Sequence, residues 1–476
     1  MKRMKLSKVD LLANINDIET CGDVTKKRTV SFYTLGCRLN KAETGTFTKQ
    51  FIDNGFSVVD FEESADVVLI NTCVVTDKAE SVCRNVIRRA RKISPDGYIV
   101  VVGCYAEIEG QNISKDVDLI IKASEKHKIF YYLDKCEEKH SLLQVFGPIK
   151  EKVATVSENA LNTTFFHAAS SIENGNTRAF LKIQDGCNFF CSYCIIPYAR
   201  GRSRGADIET VCTQARELIS SGFKEIVLTG INIGDYRSVD GDKISRLPHL
   251  LRAVLSLNGL ERLRLSSIEP NTITDELLDV VCDAPNFMNH FHIPLQSGDD
   301  EILRLMGRKY TLVDYTNVIK KIIDRIPNVT IGTDVIVGHP GETEEHFVQT
   351  KNFLQDIAVS HFHIFPYSLR KGTKSAQMPN QIEKRIKKMR ARELIELGHL
   401  KLKARLIEEV SAQRIFQVLF EQQVSSGVWE GYTSNYLRVR VRPKQASISL
   451  KNEIRDVVII SVGEDLYLEG EIIADK

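Results

Sequence analysis

The sequence lacks several features that would assign it to particular classes of protein. No run of about eighteen apolar residues occurs among its 476 residues, which argues against a membrane-spanning helix. The first residues are charged and contain no apolar signal core, so the sequence predicts a cytoplasmic protein without membrane association. The formal net charge at pH 7 is only +2, and any attraction to nucleic acid must therefore come from local basic patches.

The sequence also lacks the cysteine pairs of a disulfide-rich protein or of a closed zinc site. Its 11 cysteines are an odd number and, in a reducing compartment, they are poor candidates for disulfides. Cys187, Cys191 and Cys194 form one tight C-x3-C-x2-C loop, whose thiolates suit an iron–sulfur cluster. Three ligands leave one iron of a four-iron cubane open. Zinc is the weaker alternative, because a closed zinc site needs four ligands and no second C-x2-C pair is present.

A second set of cysteines, Cys37, Cys73 and Cys104, is spread along the N-terminal part of the chain. Each follows a predicted buried strand, and the strands alternate with helical stretches, which is typical of a parallel sheet. The predicted strands are Val30–Leu35, Val67–Thr72 and Ile99–Val102. Ligands bind at the carboxyl ends of parallel strands, so we expect these cysteines to meet at one rim. A lone cysteine there is usually a small buried residue, but three in equivalent positions favour ligands.

The pattern of strands and helices predicts an α/β protein with several domains. We predict a polar extension at 1–27, an open parallel α/β domain at 28–140, a linker at 141–176, a partial barrel with a connecting helix at 177–410, and a small all-β barrel at 411–476. The partial barrel has six predicted strand–helix units, with strands at Ala179–Ile183, Glu225–Leu228, Arg262–Ser266, His290–Pro294, Thr330–Val337 and His361–Pro366. In such barrels the chemistry lies at the carboxyl ends of the strands.

The cysteine loop resembles the radical S-adenosylmethionine (radical SAM) enzymes, whose C-x3-C-x2-C motif it matches in full. The resemblance implies that the open iron chelates S-adenosylmethionine and that one electron cleaves it to a 5′-deoxyadenosyl radical. It also implies that Thr229, Gly230 and Asn232 contact the amino group of the cofactor. Glu269 and Gln296 match the polar residues on its ribose and methionine side. Taken singly, a glycine such as Gly230 more often forms a turn.

From about residue 28 to the end, the chain is similar to the methylthiotransferase family. The matches are Gly36-Cys37, Asn71-Thr72-Cys73 and Gly103-Cys104, the radical SAM loop, and a C-terminal barrel that matches the TRAM domain. The resemblance implies two 4Fe–4S clusters, a radical cluster on Cys187, Cys191 and Cys194 and an auxiliary cluster on Cys37, Cys73 and Cys104. The auxiliary cluster would carry the sulfur that is added, as a methylthio group, to a substrate carbon.

Members of this family act on adenosines beside the tRNA anticodon or on an aspartate of a ribosomal protein. The segments 36–40 and 195–204 look most like the branch that acts on N6-threonylcarbamoyladenosine; isopentenyladenosine and the ribosomal aspartate are the alternatives. An iron–sulfur protein that only binds RNA or carries electrons is the non-enzyme alternative. The expected partners are tRNA and an electron donor such as flavodoxin or ferredoxin, and the expected state is a monomer.

Two arginine groups are the predicted contacts with RNA. Arg200, Arg202 and Arg204 directly follow the cysteine loop and suit phosphates or the carboxylate of threonylcarbamoyl, although arginines there also form structural ion pairs. Arg438, Arg440 and Arg442 alternate along one predicted strand of the C-terminal barrel, close to tyrosines. A solvated strand face is the alternative for this second group.

Overall fold

The computed structural model describes most of the chain. The described residues are 27–75, 77–109, 116–123, 125–134, 154–156, 169–170, 177–240, 243–444 and 448–473. The predicted extension lies outside them, apart from Lys27, and so does most of the predicted linker. None of the described helices combines the length and the apolar character that crossing a membrane requires.

The N-terminal part is a parallel sheet of six strands in the order β2-β1-β3-β4-β5-β6. Its strands are β1 (Thr29–Thr34), β2 (Ser57–Val59), β3 (Val67–Thr72), β4 (Tyr98–Gly103), β5 (Leu119–Ile121) and β6 (Ala154–Val156), and its helices are α1 (Arg38–Asp53), α2 (Asp77–Ile93) and α3 (Cys104–Glu109). The three predicted strands are confirmed as β1, β3 and β4. Sequence reasoning missed the three-residue strands, which are too short to show a periodicity, and β6 lies inside the predicted linker.

The central part is the predicted incomplete barrel of six parallel strands. Its strands are β8 (Arg178–Lys182), β11 (Glu225–Thr229), β14 (Arg262–Leu265), β15 (His290–His292), β16 (Thr330–Val337) and β17 (His361–Pro366). Bridges such as Ser267 to His292 join the sheet that ends in β14 to the sheet that begins with β15. Because β17 does not pair with β8, the barrel stays open on one side.

Short strands and eight α-helices complete this central part in the described residues. The strands are β7 (Ala169–Ser170), β9 (Gln184–Asp185), β10 (Arg204–Gly205), β12 (Arg237–Asp240) and β13 (Lys243–Arg246). The helices are α4 (Ile196–Arg200), α5 (Ile208–Ser220), α6 (Leu247–Leu255), α7 (Asp275–Cys282), α8 (Asp300–Met306), α9 (Leu312–Arg325), α10 (Glu344–Asp356) and α11 (Lys384–Ser411). Strand β7 lies inside the predicted linker and pairs antiparallel with β8. Helix α11 is the predicted connecting helix and packs on β17 and on the C-terminal barrel.

The alternation of side chains along β8 explains how the two larger parts of the chain meet. Ala179 and Leu181 are buried in the core beneath the helices, whereas Lys182 lies on the other face and contacts Glu43 of α1. Helix α1 packs across β7 and β8 at the open side of the barrel. The N-terminal sheet is therefore held against the barrel beside its cysteine loop.

The C-terminal part is a closed barrel of five strands in the order β18-β19-β20-β22-β21. The strands are β18 (Ile415–Ser425), β19 (Val428–Thr433), β20 (Arg438–Val441), β21 (Ile454–Gly463) and β22 (Tyr467–Ile472). The sequence predicts strands at Ile415–Glu421, Trp429–Tyr432, Tyr436–Val441 and Val457–Val462, which correspond to the first four. It does not predict β22, which closes the barrel by pairing with both β20 and β21. The turn before β20 docks on the amino ends of the central strands, where Asn435 donates to the carbonyl of Asn328 at 3.1 Å.

The same docking site contains a buried ion pair whose removal should destabilise the protein. Arg264 binds Glu225 with its Nε 2.7 Å from a carboxylate oxygen, and both side chains are 1% exposed. An Arg264→Met substitution leaves the Glu225 carboxylate without its closest cation, and we expect a loss of about 3–5 kcal/mol in the free energy of unfolding. Chemical denaturation measures this loss.

The matched control is Arg252→Met, which removes an ion pair with Glu276 in which both side chains are about half exposed. The control should change the free energy of unfolding by about 1 kcal/mol or less. An equal effect of the two substitutions would contradict the role of the buried pair.

Candidate active site

Main-chain hydrogen bonds and one required glycine hold the C-x3-C-x2-C loop in shape. It begins after β9 at Gly186, whose φ is +72°. A Cβ atom at this position would lie 2.1 Å from the carbonyl oxygen of Arg202, so the turn requires glycine. The amide of Cys187 donates to the carbonyl of Gly201 at 3.1 Å, and the amide of Ser192 donates to the carbonyl of Met306 at 2.8 Å. The loop is therefore anchored before any metal binds.

Two of the sulfurs in this loop, those of Cys187 and Cys194, resist deprotonation in the absence of a metal. Burial raises the pKa of the Cys187 thiol to about 12 and also raises that of Cys194. Arg308 donates from its guanidinium to the sulfur of Cys191 at 3.2 Å. Since metals bind the thiolate form, a metal at this loop would stabilise the deprotonated forms of Cys187 and Cys194.

The residue types of this loop suit an iron–sulfur cluster, because soft thiolates are the ligands such clusters use. Among the described residues, His292, Asp334 and His363 form a group of three metal-binding side chains whose ligand atoms lie within 4.8 Å of one another.

The segment after β11 carries three of the predicted cofactor contacts. Gln184 accepts hydrogen bonds from the amides of Ile231 and Asn232, both at 2.9 Å. A Cβ atom at Gly230 would lie 2.7 Å from the same oxygen of Gln184, so the glycine permits this close approach. Thr229 is buried at the end of the strand. Both polar atoms of the Asn232 side chain are buried without a hydrogen-bond partner, which costs free energy unless a ligand satisfies them.

Glu269 is placed beside the cysteine loop but is already paired. Its carboxylate forms an ion pair with Arg308, the arginine that also contacts the sulfur of Cys191. Burial raises the pKa of Glu269 above its usual value, although Arg308 opposes this. The expected polar residue is thus present, and it orients the cation that lies on the sulfur.

Gln296 lines a cavity of about 260 Å³ together with Tyr193, Cys194, Asp334 and Ile336. Sequence reasoning missed Asp334 and Ile336. The available signal was that Asp334 is the one charged residue in strand β16. Burial alone would raise the pKa of Asp334, but two histidines hold it below its usual range: the nearest nitrogens of His292 and His363 lie 3.1 and 3.2 Å from its Oδ1.

The second cysteine set lies at the carboxyl rim of three adjacent strands, β1, β3 and β4, as expected. Gly36 and Gly103 precede two of the cysteines and have φ values of +100° and +98°. A Cβ atom at Gly36 would lie 3.0 Å from the sulfur of Cys73, so glycine allows the close approach of β1 to this residue. Burial, followed by the neighbouring Cys104, raises the pKa of Cys73 to about 12.

Arg200 contacts the second cysteine set from the segment that follows the cysteine loop. It ends α4, the helix that directly follows Cys194, and its Nε donates to the sulfur of Cys104 at 3.1 Å. The side chain is 1% exposed. Arg200 also donates to Asn40 at 2.6 Å. Arg200 therefore connects the helix that follows the cysteine loop to a cysteine of the second set.

Arg200 belongs to a buried charge network that has more cations than anions. Its carboxylates are Glu43 and Asp185, and its fully buried cations are Arg200, Lys182 and Lys126. Lys126 forms an ion pair with Glu43, and burial lowers its pKa to about 8, so it is still largely charged at neutral pH. An excess buried cation is costly unless an anion lies beside it. An anionic group at the sulfur of Cys104, which contacts Arg200, would supply that negative charge.

Comparisons with known proteins agree with this arrangement. Residues 181–354 match the radical SAM superfamily and residues 29–122 match the Uncharacterized protein family UPF0004. The chain is 38% identical to the threonylcarbamoyladenosine tRNA methylthiotransferase MtaB of Bacillus subtilis (strain 168), with 94% of this chain and 96% of the relative covered. The chain belongs to the radical SAM methylthiotransferase family. This membership implies S-adenosylmethionine and a 4Fe–4S cluster as cofactors.

The chain is also similar to a second kind of tRNA-modifying enzyme and to one solved radical SAM structure. The chain is 32% identical to the tRNA-2-methylthio-N(6)-dimethylallyladenosine synthase of Alkaliphilus oremlandii (strain OhILAs), with 78% of each chain covered. The radical S-adenosylmethionine methyltransferase TsrM from Kitasatospora setae, solved with a tryptophan substrate and a SAM analogue, has a TM-score of 0.50 at 15% identity, covering 71% of this chain and 73% of that one. The second similarity concerns the fold alone.

The structure divides the first arginine group, which the sequence predicted to contact RNA or the threonylcarbamoyl carboxylate, with structural ion pairs as the alternative. Arg200 is buried and bound to carboxylates and to sulfur, so it is not available to RNA; the alternative of a structural ion pair applies to it. Arg204 donates to the carbonyl of Arg200 at 2.7 Å and forms an ion pair with Asp185. Arg202 is exposed and lies over the ring of Phe190 at 5.6 Å.

The second arginine group is at the surface but is partly neutralised. Arg438 and Arg440 both form ion pairs with Glu430, and Arg440 lies 4.1 Å from the ring centre of Tyr467 in β22. Arg442 lies just beyond the end of β20. The predicted neighbours Tyr432 and Tyr436 instead stack on each other and contact Arg178 of the central barrel. Tyr467, which sequence reasoning missed with its strand, is the aromatic residue beside the arginines.

The geometry of the cysteine loop predicts the effect of one small substitution. In Gly186→Ala, the added Cβ clashes with the main chain of residues 201–202. We therefore expect the variant to bind less iron and to lose the reductive cleavage of S-adenosylmethionine. Iron content and the yield of 5′-deoxyadenosine after anaerobic reconstitution measure this.

The control is Gly222→Ala, at a similar positive φ of +87° but with no atom within 4 Å of the added Cβ. It imposes comparable backbone strain outside the cysteine loop. If the control lost as much iron as the Gly186 variant, the contact with residues 201–202 would not be the cause.

Proposed function

We propose that the chain is a tRNA methylthiotransferase that converts N6-threonylcarbamoyladenosine beside the anticodon to its 2-methylthio derivative. The observation that carries this proposal is the similarity to the Bacillus subtilis relative named for this substrate, which covers nearly the whole of both chains. The similarity to relatives named as dimethylallyladenosine synthases is weaker, at 32% identity, and makes isopentenyladenosine the alternative substrate.

We infer that both cysteine sets hold 4Fe–4S clusters, a radical cluster on Cys187, Cys191 and Cys194 and an auxiliary cluster on Cys37, Cys73 and Cys104. The buried excess of positive charge beside Cys104 supports an anionic group at the second set, because three neutral thiols would leave that charge uncompensated. When bound, the clusters supply the electron that cleaves S-adenosylmethionine and an iron site for the sulfur that is added.

The residues around the cavity have the chemistry to hold S-adenosylmethionine in one orientation. Asp334, with its carboxylate kept ionised by the two histidines, accepts hydrogen bonds of the kind that ribose hydroxyls donate, and Gln296 lies in the same cavity. The unpaired amide of Asn232 offers both a donor and an acceptor to the methionine end. Thr229 and Gly230 shape that segment, and Glu269 keeps the Arg308 guanidinium on the sulfur of Cys191.

The tRNA surface that we propose consists of Arg202 beside the cysteine loop and Arg438, Arg440 and Arg442 of the C-terminal barrel. Arg440 and Arg442 line a cleft of about 420 Å³ with Tyr467, which combines charge for phosphates with an aromatic face for a base. The electron is expected to come from a flavodoxin or ferredoxin, and the protein is expected to act as a monomer.

Mass spectrometry of tRNA nucleosides from a strain without this gene tests the function. We expect loss of 2-methylthio-N6-threonylcarbamoyladenosine and accumulation of its unmethylthiolated parent. Restoring the gene should restore the product, and restoring a Cys104→Ala variant should not. Loss of the isopentenyl counterpart would assign the chain to the other tRNA branch, and unchanged tRNA with an unmodified ribosomal aspartate would refute a tRNA substrate.

Neutralising the surface arginines should weaken tRNA binding without affecting the cofactor site. In the double variant Arg440→Gln, Arg442→Gln, we expect a higher Kd for tRNA and a salt dependence reduced by about one unit of slope per arginine that contacts a phosphate. Filter binding at several salt concentrations measures both. Arg392→Gln, at an exposed position on α11, is the control and should leave Kd and slope unchanged. An unaltered slope in the double variant would remove these arginines from the tRNA surface.

A further inference from the structure

The guanidinium group of Arg200 has its hydrogen-bond donors distributed over four partners. Its Nε lies 3.1 Å from the sulfur of Cys104. One terminal nitrogen lies 3.0 Å from Glu43 and 3.1 Å from Asp185, and the other donates to Asn40 at 2.6 Å. The planar fork of arginine is rigid, so these contacts hold the Nε–H in line with the sulfur.

Arg200 is not needed merely to neutralise the buried carboxylates. Without it, Glu43 still has Lys126 and Lys182, the latter at 2.9 Å. Asp185 still has Lys182 at 2.7 Å and Arg204 at 3.4 Å. Two carboxylates with three other cations do not require a fourth. The excess charge of the network is instead directed at the cysteine sulfur.

We propose that Arg200 is a positioning residue for the auxiliary site, and that its contact with the Cys104 sulfur makes the centre held by Cys37, Cys73 and Cys104 easier to reduce. This inference rests on the proposed function, which places a 4Fe–4S cluster on those cysteines. The contact also joins the auxiliary site to α4, the helix that follows the cysteine loop.

The direction of the effect follows from elementary electrostatics. Reduction adds one negative charge to a centre that thiolate ligands already make anionic. A cation and a hydrogen bond at a ligand sulfur stabilise the reduced state more than the oxidised state, which raises the reduction potential. The effect is large here because Arg200 is 1% exposed and little solvent screens it.

The test compares midpoint potentials of the auxiliary cluster in the full-length chain. A Cys187→Ala, Cys191→Ala, Cys194→Ala background removes the radical cluster, so that a reductive titration followed by electron paramagnetic resonance reports one centre. Adding Arg200→Gln should shift the reduction equilibrium at least tenfold toward the oxidised state, which is about 59 mV for one electron. Arg200→Lys keeps the charge without the planar fork, and we expect a smaller shift in the same direction.

The control is Arg392→Gln, an exposed arginine on α11, which should leave the potential unchanged. A background protein that holds no cluster would refute the two-cluster function. A cluster whose potential is the same in the background protein, in the Arg200→Gln variant and in the control would refute the role of Arg200 alone. If the Arg200→Gln variant holds no cluster, the Arg200→Lys variant provides the test. An unchanged potential in that variant would also overturn the inference.

Discussion

The Glu43 carboxylate is the contact on which the arrangement of the site depends. It is fully buried and binds Lys126 of the N-terminal part as well as Lys182 and Arg200 of the central part. Burial alone would raise its pKa, but Arg200 and the two lysines hold it well below the usual range. Removing a shared carboxylate of this kind would leave buried cations facing one another, so the N-terminal sheet and the barrel are held in a single relative position.

The two cysteine sets have different electrostatic surroundings, although each has one buried arginine against a sulfur. Arg308 contacts Cys191 and is paired one-to-one with Glu269, so this pair is close to neutral. Arg200 contacts Cys104 from a network with a surplus of cations. A centre beside a neutral pair is less stabilised in its reduced form than one beside excess positive charge. If both proposed clusters are bound, the one at the second set would be the easier to reduce.

The parts of the structure that sequence reasoning predicted depend on local patterns, and the parts it missed depend on distant partners. The cysteine loop is contained in a few residues, and buried strands such as β3 have a clear apolar run. Arg200 looked like a surface residue because its neighbours are arginines, whereas its partner Glu43 is 157 positions away. Strand β22 shows no regular alternation of apolar residues and is identified by its pairing with β20 and β21. The role of Asp334 depends on its contacts with His292 and His363, which lie on other strands, so the sequence of its own strand does not reveal it.

The C-terminal barrel also contacts the segment that carries the second cysteine set. Its orientation therefore affects how a substrate on the barrel would reach the cysteines. The hydroxyl of Tyr436 accepts hydrogen bonds from Arg178 of β8 and from Arg38, each at 3.2 Å. Arg38 directly follows Cys37, so the barrel contacts the residue next to a cysteine of the second set. Tyr436 has a φ of +68°, a strained value that persists only where surrounding contacts compensate for it. In the function that we propose, the Tyr436 contacts would therefore fix the distance between the arginines of this barrel and the cysteine sets.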